Sequence, residues 1–412
     1  MSQVETNATL GRQERLARLH SEFDLRFGAG QASWGKATSF PVRAVRAPGR
    51  VNIIGEHTDY NGGFVLPAAI DREVLMVGRR RPDHQIRLYS LDYQEEALGD
   101  VRALDPSAHP AWSRYVQGVV WVLQQHGISV GGFEAVLTGN VPQGAGLSSS
   151  AAIEVATAML LQSLFDFPLT GPEMAALCQE AENRFVGVNC GIMDQFISRM
   201  GRQGTVLLLD CRSLGHGWVP LPDDRVRIVI ANTAVVRGLV DSAYNQRRAE
   251  CEEGVRLIRQ WEPQVAQLRD VTPEMLEKYE EHLPDQVRRR VAHVVRENQR
   301  VLDTVAALEK GDWQRCGELL VASHESLRNL YEVSSPALDL MVELALSVPG
   351  VLGSRMTGAG FGGCTVSLVR EDAVERFIET VIPEYRRRAT WELAGEPEAY
   401  VCRADDGATV IA

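Results

Sequence analysis

Pro142-Gln-Gly-Ala-Gly-Leu-Ser-Ser-Ser-Ala-Ala152 decides how the rest of the chain is read. Before it, Phe133 to Thr138 alternates Phe133, Ala135 and Leu137 with Glu134, Val136 and Thr138, the period of a half-buried strand. After it, Ile153 to Phe165 is apolar on most sides and rich in Ala, Leu and Met, which predicts a buried helix. Strand, glycine-rich loop and helix N-terminus together make an anion site. Gly144 and Gly146 let the backbone turn its N–H groups inward, and the first helical turn adds donors without intrahelical partners. The partial positive charge there favours a phosphate by up to ~2 kcal/mol. Ser148, Ser149 and Ser150 add hydroxyls that can cap the helix, bond a phosphate oxygen or help hold a metal ion. One serine would be an ordinary N-cap. Two glycines and three serines between strand and helix point to a phosphate cradle.

Working outward, 412 residues are too many for one typical domain. The stretch Asp210 to Asp224, with its Gly, Pro and Asp content, is the candidate boundary, dividing 1–222 from 223–412. A net charge of −11 argues against a nucleic-acid partner, and the basic runs Arg79-Arg80-Arg81 and Arg288-Arg289-Arg290 are short enough to be solvated faces. Seven scattered cysteines with no close pairing suit reduced thiols in the cytoplasm. No signal segment and no membrane-length apolar run is evident. The expectation is a cytoplasmic monomer working on small molecules.

Two further dense stretches flank the loop. Ala47-Pro-Gly-Arg-Val-Asn-Ile-Ile-Gly-Glu-His-Thr-Asp-Tyr-Asn-Gly-Gly-Phe-Val-Leu-Pro67 holds Arg50, Glu56, His57 and Asp59 among glycines and prolines. Such polar density is poor core material and reads as a binding loop. Thr357-Gly-Ala-Gly-Phe-Gly-Gly-Cys364 satisfies G-x-G-x-x-G, but a strand (Val366, Leu368, Val369) follows it where a dinucleotide fold needs a helix. No Gly-Lys-Ser/Thr closes the first loop, and no His-Arg-Asp or Asp-Phe-Gly motif occurs, so P-loop and protein-kinase chemistry are excluded. Elsewhere, Arg12 to Phe27, Trp112 to Gln125, Pro172 to Arg184, Asp241 to Trp261 and Asp285 to Glu309 read as helices. Gly28 to Ser39 reads as a loop, Val42 to Arg46 as a strand, and Glu262 to Pro284 as an acidic surface excursion.

The three dense stretches resemble the three motifs of the GHMP small-molecule kinases. Gly49 to Gly63 is similar, nearly residue for residue, to the signature of the galactokinases within that family. Cys190-Gly-Ile-Met-Asp-Gln195, Leu209-Asp-Cys-Arg-Ser213 and Arg247-Arg248 extend the resemblance over nearly the whole chain. It implies an α+β fold of two lobes, the second ferredoxin-like, with the active site between them, and transfer of the ATP γ-phosphoryl group to the anomeric hydroxyl of galactose. It makes Asp194 the catalytic carboxylate and Arg50 its cationic neighbour, with Glu182 and Ser150 holding Mg²⁺. Glu56, His57, Asp59, Gly191, Asp194 and Tyr244 become sugar contacts. Gly144, Ala145, Gly146, Leu147, Ser148, Ser149 and Ser150 become the ATP cradle, and Trp112 the aromatic residue beside adenine. The chemistry of these residues agrees, because phosphoryl transfer needs alignment and charge neutralisation more than covalent help. A kinase for N-acetylgalactosamine and a silent galactose sensor share the motifs; the complete run Ser148 to Ala152 favours an enzyme.

Overall fold

The computed structural model describes residues 10–28, 40–142, 144–222, 225–235 and 240–411. The residues 1–9 and most of the loop expected before Ser39 fall outside that set. The first half runs α1 (Arg12–Phe27), β1 (Arg43–Asn52), β2 (Phe64–Val65), β3 (Pro67–Arg80), β4 (Gln85–Ser90) and β5 (Glu95–Asp100). It continues with α2 (Ser113–Gln125), β6 (Phe133–Gly139), α3 (Ser149–Phe165), α4 (Gly171–Ala181), α5 (Met193–Met200), β7 (Thr205–Asp210) and β8 (His216–Pro220).

Strands β1, β3, β4, β5 and β6 form one sheet, with β4 and β6 parallel and the other pairs antiparallel. The period of two splits β3 between two cores. Val74 and Met76 join the cluster under α2 and α3, while Leu75 and Val77 meet Leu19, Phe23 and Phe27 of α1. A sheet covered on both faces needs apolar residues at both parities. Helix α1 is pinned by charge as well: Arg12 and Arg15 reach Glu73 of β3 at 2.7 and 2.8 Å.

Three sequence expectations change here. Strand β1 runs on through Arg50 to Asn52, so the start of the polar stretch is sheet, not loop. A register shift lies between Pro48 and Arg50, as expected where proline cannot donate to the ladder. The expected boundary stretch Asp210 to Asp224 contains β8, paired with β7 from Thr205↔Pro220 to Leu209↔His216. The helix expected to Arg184 ends at Ala181 and passes into a π turn, Glu182–Val186.

The second half runs β9 (Val226–Asn232), α6 (Val240–Ile258), α7 (Pro273–Tyr279), α8 (Asp285–Glu309), α9 (Trp313–Ser326), α10 (Pro336–Ser347), β10 (Val351–Thr357), β11 (Cys364–Arg370), α11 (Val374–Arg388), β12 (Glu398–Cys402) and β13 (Thr409–Ile411). Strands β9 to β12 form an antiparallel sheet in the order β10-β11-β9-β12. A β-α-β-β-α-β chain with that order is ferredoxin-like. The expected surface excursion, 262–284, is largely exposed but anchored: Val265, Leu268, Val271, Leu276 and Leu283 join the α8 core. An apolar cluster containing Ile53, Ile54 and Leu147 of the first half and Ile230, Leu320 and Val366 of the second joins the two halves. Finally β13 returns to pair with β1.

Candidate active site

Where the halves meet, a cavity of about 340 Å³ is lined by all three dense stretches and by the turn before α5. Arg50, Glu56, His57, Asp59, Gly144, Gly146, Leu147, Ser148, Ser149, Ser150, Glu182, Gly191, Asp194 and Tyr244 all border it. Of the expected site residues only Ala145 and Trp112 do not. Ala145 is buried in the core joining the halves, which leaves its backbone as the part that can face a ligand.

Asp194 stands in the first turn of α5, where the helix dipole favours a carboxylate. Arg50 grips it at two points, Nε to Oδ1 at 2.8 Å and a terminal nitrogen to Oδ2 at 2.7 Å. The other terminal nitrogen donates to the Gly146 carbonyl at 2.5 Å, tying the pair to the glycine loop. The Ser148 hydroxyl donates to Asp194 Oδ2. Arg50 is buried while the Asp194 side chain is 26% exposed, so the carboxylate, not the guanidinium, faces the opening.

The signature loop folds on itself through Thr58, whose hydroxyl bonds the Gly55 and Phe64 carbonyls at 2.8 and 2.6 Å. Glu56 ties this loop to the third motif. Its Oε1 accepts from the Gly358 amide at 2.8 Å and the Thr357 hydroxyl at 3.1 Å, and pairs with Arg355 at 2.9 Å. Oε2 takes one donor, Asn52 Nδ2 at 3.0 Å, and keeps capacity for another. The third motif is the β10–β11 connection, with Thr357 opposite Cys364. Gly360 there, at φ 87°, has room for no Cβ, which would lie 2.1 Å from the Val333 carbonyl.

His57 adopts φ 62°, and burial pushes its imidazole down to about 4, so it is neutral. Nδ1 is bonded to the Tyr60 hydroxyl at 2.8 Å, while the ring also lies against the Ala359 backbone and Nε2 is buried. Burial first, and then the charge of Asp194, raise the Asp59 carboxyl to about 7. Tyr244 packs edge-on against Tyr60 at 5.2 Å and tilted against His57 at 5.8 Å.

On the other side of the cavity, Ser148 sits at φ 62° and its side chain does not cap α3, so the first amides of that helix stay open to an anion. Glu182 opens the π turn, a helix irregularity frequent at functional sites. Burial raises its carboxyl to about 7, while hydrogen bonds from Cys190, Ser150 and Gln195 work against that rise. Beneath it lies Glu154, absent from the sequence reading and fully buried. Gln195 Nε2 donates to both carboxylates, to Glu182 at 2.6 Å and to Glu154 at 3.0 Å. Burial, and then the charge of Glu182, hold the Glu154 carboxyl well above its ordinary range.

Trp112 lines a separate open cleft with Tyr93, Glu95, Glu96 and His109. Its ring is parallel to that of Tyr93, with centroids 6.4 Å apart. Tyr93 was also missed from sequence.

Comparison with known proteins gives the family. The GHMP kinases N-terminal domain model matches residues 114–202 and the GHMP kinases C-terminal model 304–386. The galactokinase galactose-binding signature matches 33–80. A galactokinase of Roseiflexus sp. (strain RS-1) is 48% identical over 367 residues, which is 89% of this chain and 92% of that protein. The crystal structure of Lactococcus lactis galactokinase complexed with galactose matches with a TM-score of 0.88 at 35% identity, over 96% of this chain and 99% of that one. Methanococcus jannaschii mevalonate kinase, at 18% identity and TM-score 0.61 over 90% of this chain and 100% of its own, shares the fold. The chain belongs to the GHMP kinase family. Within that class, the galactose-binding signature and the Roseiflexus relative set it on the galactokinase branch.

Proposed function

We propose that this protein transfers the γ-phosphoryl group of ATP to the anomeric hydroxyl of galactose, giving galactose 1-phosphate and ADP. The observation that carries the reading is the two-point Arg50–Asp194 pair, set between the signature loop and the uncapped amino end of α3. Galactose sits against Glu56, His57, Asp59, Gly191 and Tyr244, with its anomeric hydroxyl at Asp194. The ATP phosphates lie on the Gly144–Ser150 backbone, and adenine reaches the cleft lined by Trp112 and Tyr93.

In the reaction the bond from the γ-phosphorus to the β–γ bridging oxygen breaks as the bond to the sugar oxygen forms. ADP leaves with the bridging oxygen, and the hydroxyl proton passes to Asp194 and on to solvent. Arg50 holds the Asp194 carboxylate in place at two points, and its charge offsets the charge that gathers on the moving phosphoryl group. Orientation is the larger part of the effect, as a loose transition state requires. The α3 amides hold the phosphates without having to reorganise.

For Mg²⁺ the donor set fits an open site. No group of three or more His, Cys, Asp or Glu side chains suited to a metal occurs among the described residues. Glu182 and Ser150 offer one carboxylate and one hydroxyl at the cavity wall, and Mg²⁺ usually takes its remaining ligands from water and phosphate oxygens. The crowding of Glu154, Glu182 and Asp194 is of the kind a cation relieves. When bound, the ion would supply charge neutralisation for the phosphates.

The same reading divides the lobes near residue 222 and makes the protein a cytoplasmic monomer with galactose and ATP as its only partners, neither nucleic acid nor membrane. Seven free thiols support the reducing compartment, and a net charge of −11 supports the absence of a nucleic-acid partner. Among the described residues no helix is long and apolar enough to cross a membrane. The test is ADP release with Mg-ATP across a panel of hexoses. Turnover with galactose is expected; binding of both ligands with no product would defeat the proposal.

A further inference from the structure

Glu182 and Asp194 border the cavity, and each has a part in the reaction. A third carboxyl has none. Glu154 lies on α3 four residues beyond Ser150, hence on the same side of the helix, and it is fully buried. A buried carboxyl is costly unless it is hydrogen-bonded. Its partner is Gln195, also fully buried, in the first half of α5 directly after Asp194. Gln195 Nε2 lies 3.0 Å from Glu154 Oε2 and 2.6 Å from Glu182 Oε2.

The chemistry of these groups fixes which end of the amide stands between them. An amide nitrogen carries two hydrogens, one for each carboxyl, and a carboxyl oxygen accepts whether or not its neighbour oxygen holds a proton. An amide oxygen in that place would need both carboxyls to turn a proton towards it. Gln195 therefore donates twice. Its own Oε1 is buried without a hydrogen-bond partner among the described residues, and so is Glu154 Oε1. A glutamine that only filled the core would be better as an apolar side chain, since an unpaired buried carbonyl destabilises the fold. What the amide supplies is a link from α5 to α3 and to the π turn that carries Glu182. Cys190 Sγ meets Glu182 at the same oxygen, Oε2, at 3.3 Å. Neither contact falls on Oε1, and a carboxylate held by one oxygen keeps the other for a cation.

We propose that Gln195 positions Glu182 for the cation, with Glu154 as the fixed second acceptor that holds the amide in place. Gln195 and Glu154 are thereby positioning residues that act through Glu182 and touch neither substrate. The inference rests on Glu182 being a cation ligand. It adds the side chains that set the direction of that ligand.

The test is calorimetric binding of ADP to the full chain, without sugar, across a series of Mg²⁺ concentrations. Gln195→Met keeps the length and bulk of the side chain and removes both N–H groups. It is expected to raise the Mg²⁺ concentration needed for ADP binding by about tenfold, within the range for losing the partner of a metal ligand. Galactose binding without nucleotide should stay at the wild-type value. Glu154→Leu should shift the Mg²⁺ series in the same direction, and serves if the first variant folds poorly, whereas Glu154→Gln keeps an acceptor and should restore it. In a Glu182→Ala background Gln195→Met should add nothing, because its action runs through Glu182. An unchanged Mg²⁺ series in Gln195→Met and Glu154→Leu overturns the inference. So does a full further loss in the Glu182→Ala background, or galactose binding weakened as much as ADP binding, since either makes Gln195 a packing residue. A Glu182→Ala protein with an unchanged Mg²⁺ series removes the metal reading itself and this inference with it.

Discussion

Gly191 and Asp59 stand so close that a Cβ on residue 191 would lie 1.8 Å from Asp59 Oδ2. Residue 191 precedes α5, which carries Asp194, and residue 59 belongs to the signature loop. The missing side chain at 191 is therefore what lets the carboxylate of one segment lie against the backbone that leads to the other.

Gly191→Ala should displace Asp59 from the cavity wall. The expected result is a galactose KM raised by about tenfold or more, the scale of one lost charged hydrogen bond, with ATP KM unchanged. Equal effects on both substrates would show that α5 itself had moved.

Asp59 also predicts a pH dependence. Its carboxyl rises from 3.8 to about 7 on folding, so the folded state holds a proton that the unfolded state has lost. The favourable linkage is fully present below the unfolded value and disappears as pH rises through the folded one. Ligand-free wild type should therefore lose stability relative to Asp59→Asn between about pH 4 and pH 7. Melting midpoints of the two proteins across that range check it. A constant gap would mean that Asp59 is not buried in this way.

Much of this was legible because the signals were local. Glycines, serines and the switch from period two to a helical run located the loop before α3, and motif resemblance gathered the cavity. What failed was long-range. Arg46 and Arg50 look unfit for a buried strand until Glu73 and Asp194 arrive from other segments to pair with them. Strand β8, His-Gly-Trp-Val-Pro, has the composition of a loop and exists through its pairing with β7. Glu154 did leave a trace: a helix apolar on nearly every side offers its one carboxylate no solvent face. Tyr93 left none, since it joins Trp112 only through the tertiary fold.

At the reaction centre, Asp194→Asn keeps an oxygen for Arg50 but cannot take a proton. A fall in kcat of at least ~10²-fold is expected, with the melting midpoint little changed. A variant keeping most of its kcat would leave orientation by Arg50 and the α3 amides as the whole of catalysis.

For the cation, Glu182→Ala should raise the Mg²⁺ concentration needed for nucleotide binding by about tenfold or more, a typical scale for damage to a metal site. Calorimetric galactose binding without nucleotide should persist. An unchanged Mg²⁺ titration would move the metal role to another residue.

Sugar choice is the most demanding prediction, because a neutral hexose must be told from its isomers by single hydroxyls. Galactose and glucose differ only in the direction of the 4-hydroxyl. Glu56 Oε2, with only Asn52 as its donor, and the Asp59 carboxylate, when ionised, can accept from hydroxyls on one face of the ring. A group built for an axial hydroxyl is left unpaired by glucose, at a cost of about 1–3 kcal/mol and more where the group is charged. Galactose should be preferred by at least ~10²-fold in kcat/KM, and Asp59→Ala should erode that ratio as well as weaken binding. N-acetylgalactosamine keeps the same 4-hydroxyl and differs by bulk at the 2-position. Tyr244 closes part of the wall and has ring contacts with Tyr60 at 5.2 Å and His57 at 5.8 Å that hinder it from swinging aside. Galactose should thus exceed N-acetylgalactosamine by about tenfold or more, and Tyr244→Ala should narrow the gap by admitting the larger sugar. Equal kcat/KM for the two sugars in wild type would show the 2-position to be open and Tyr244 to play no part in the choice.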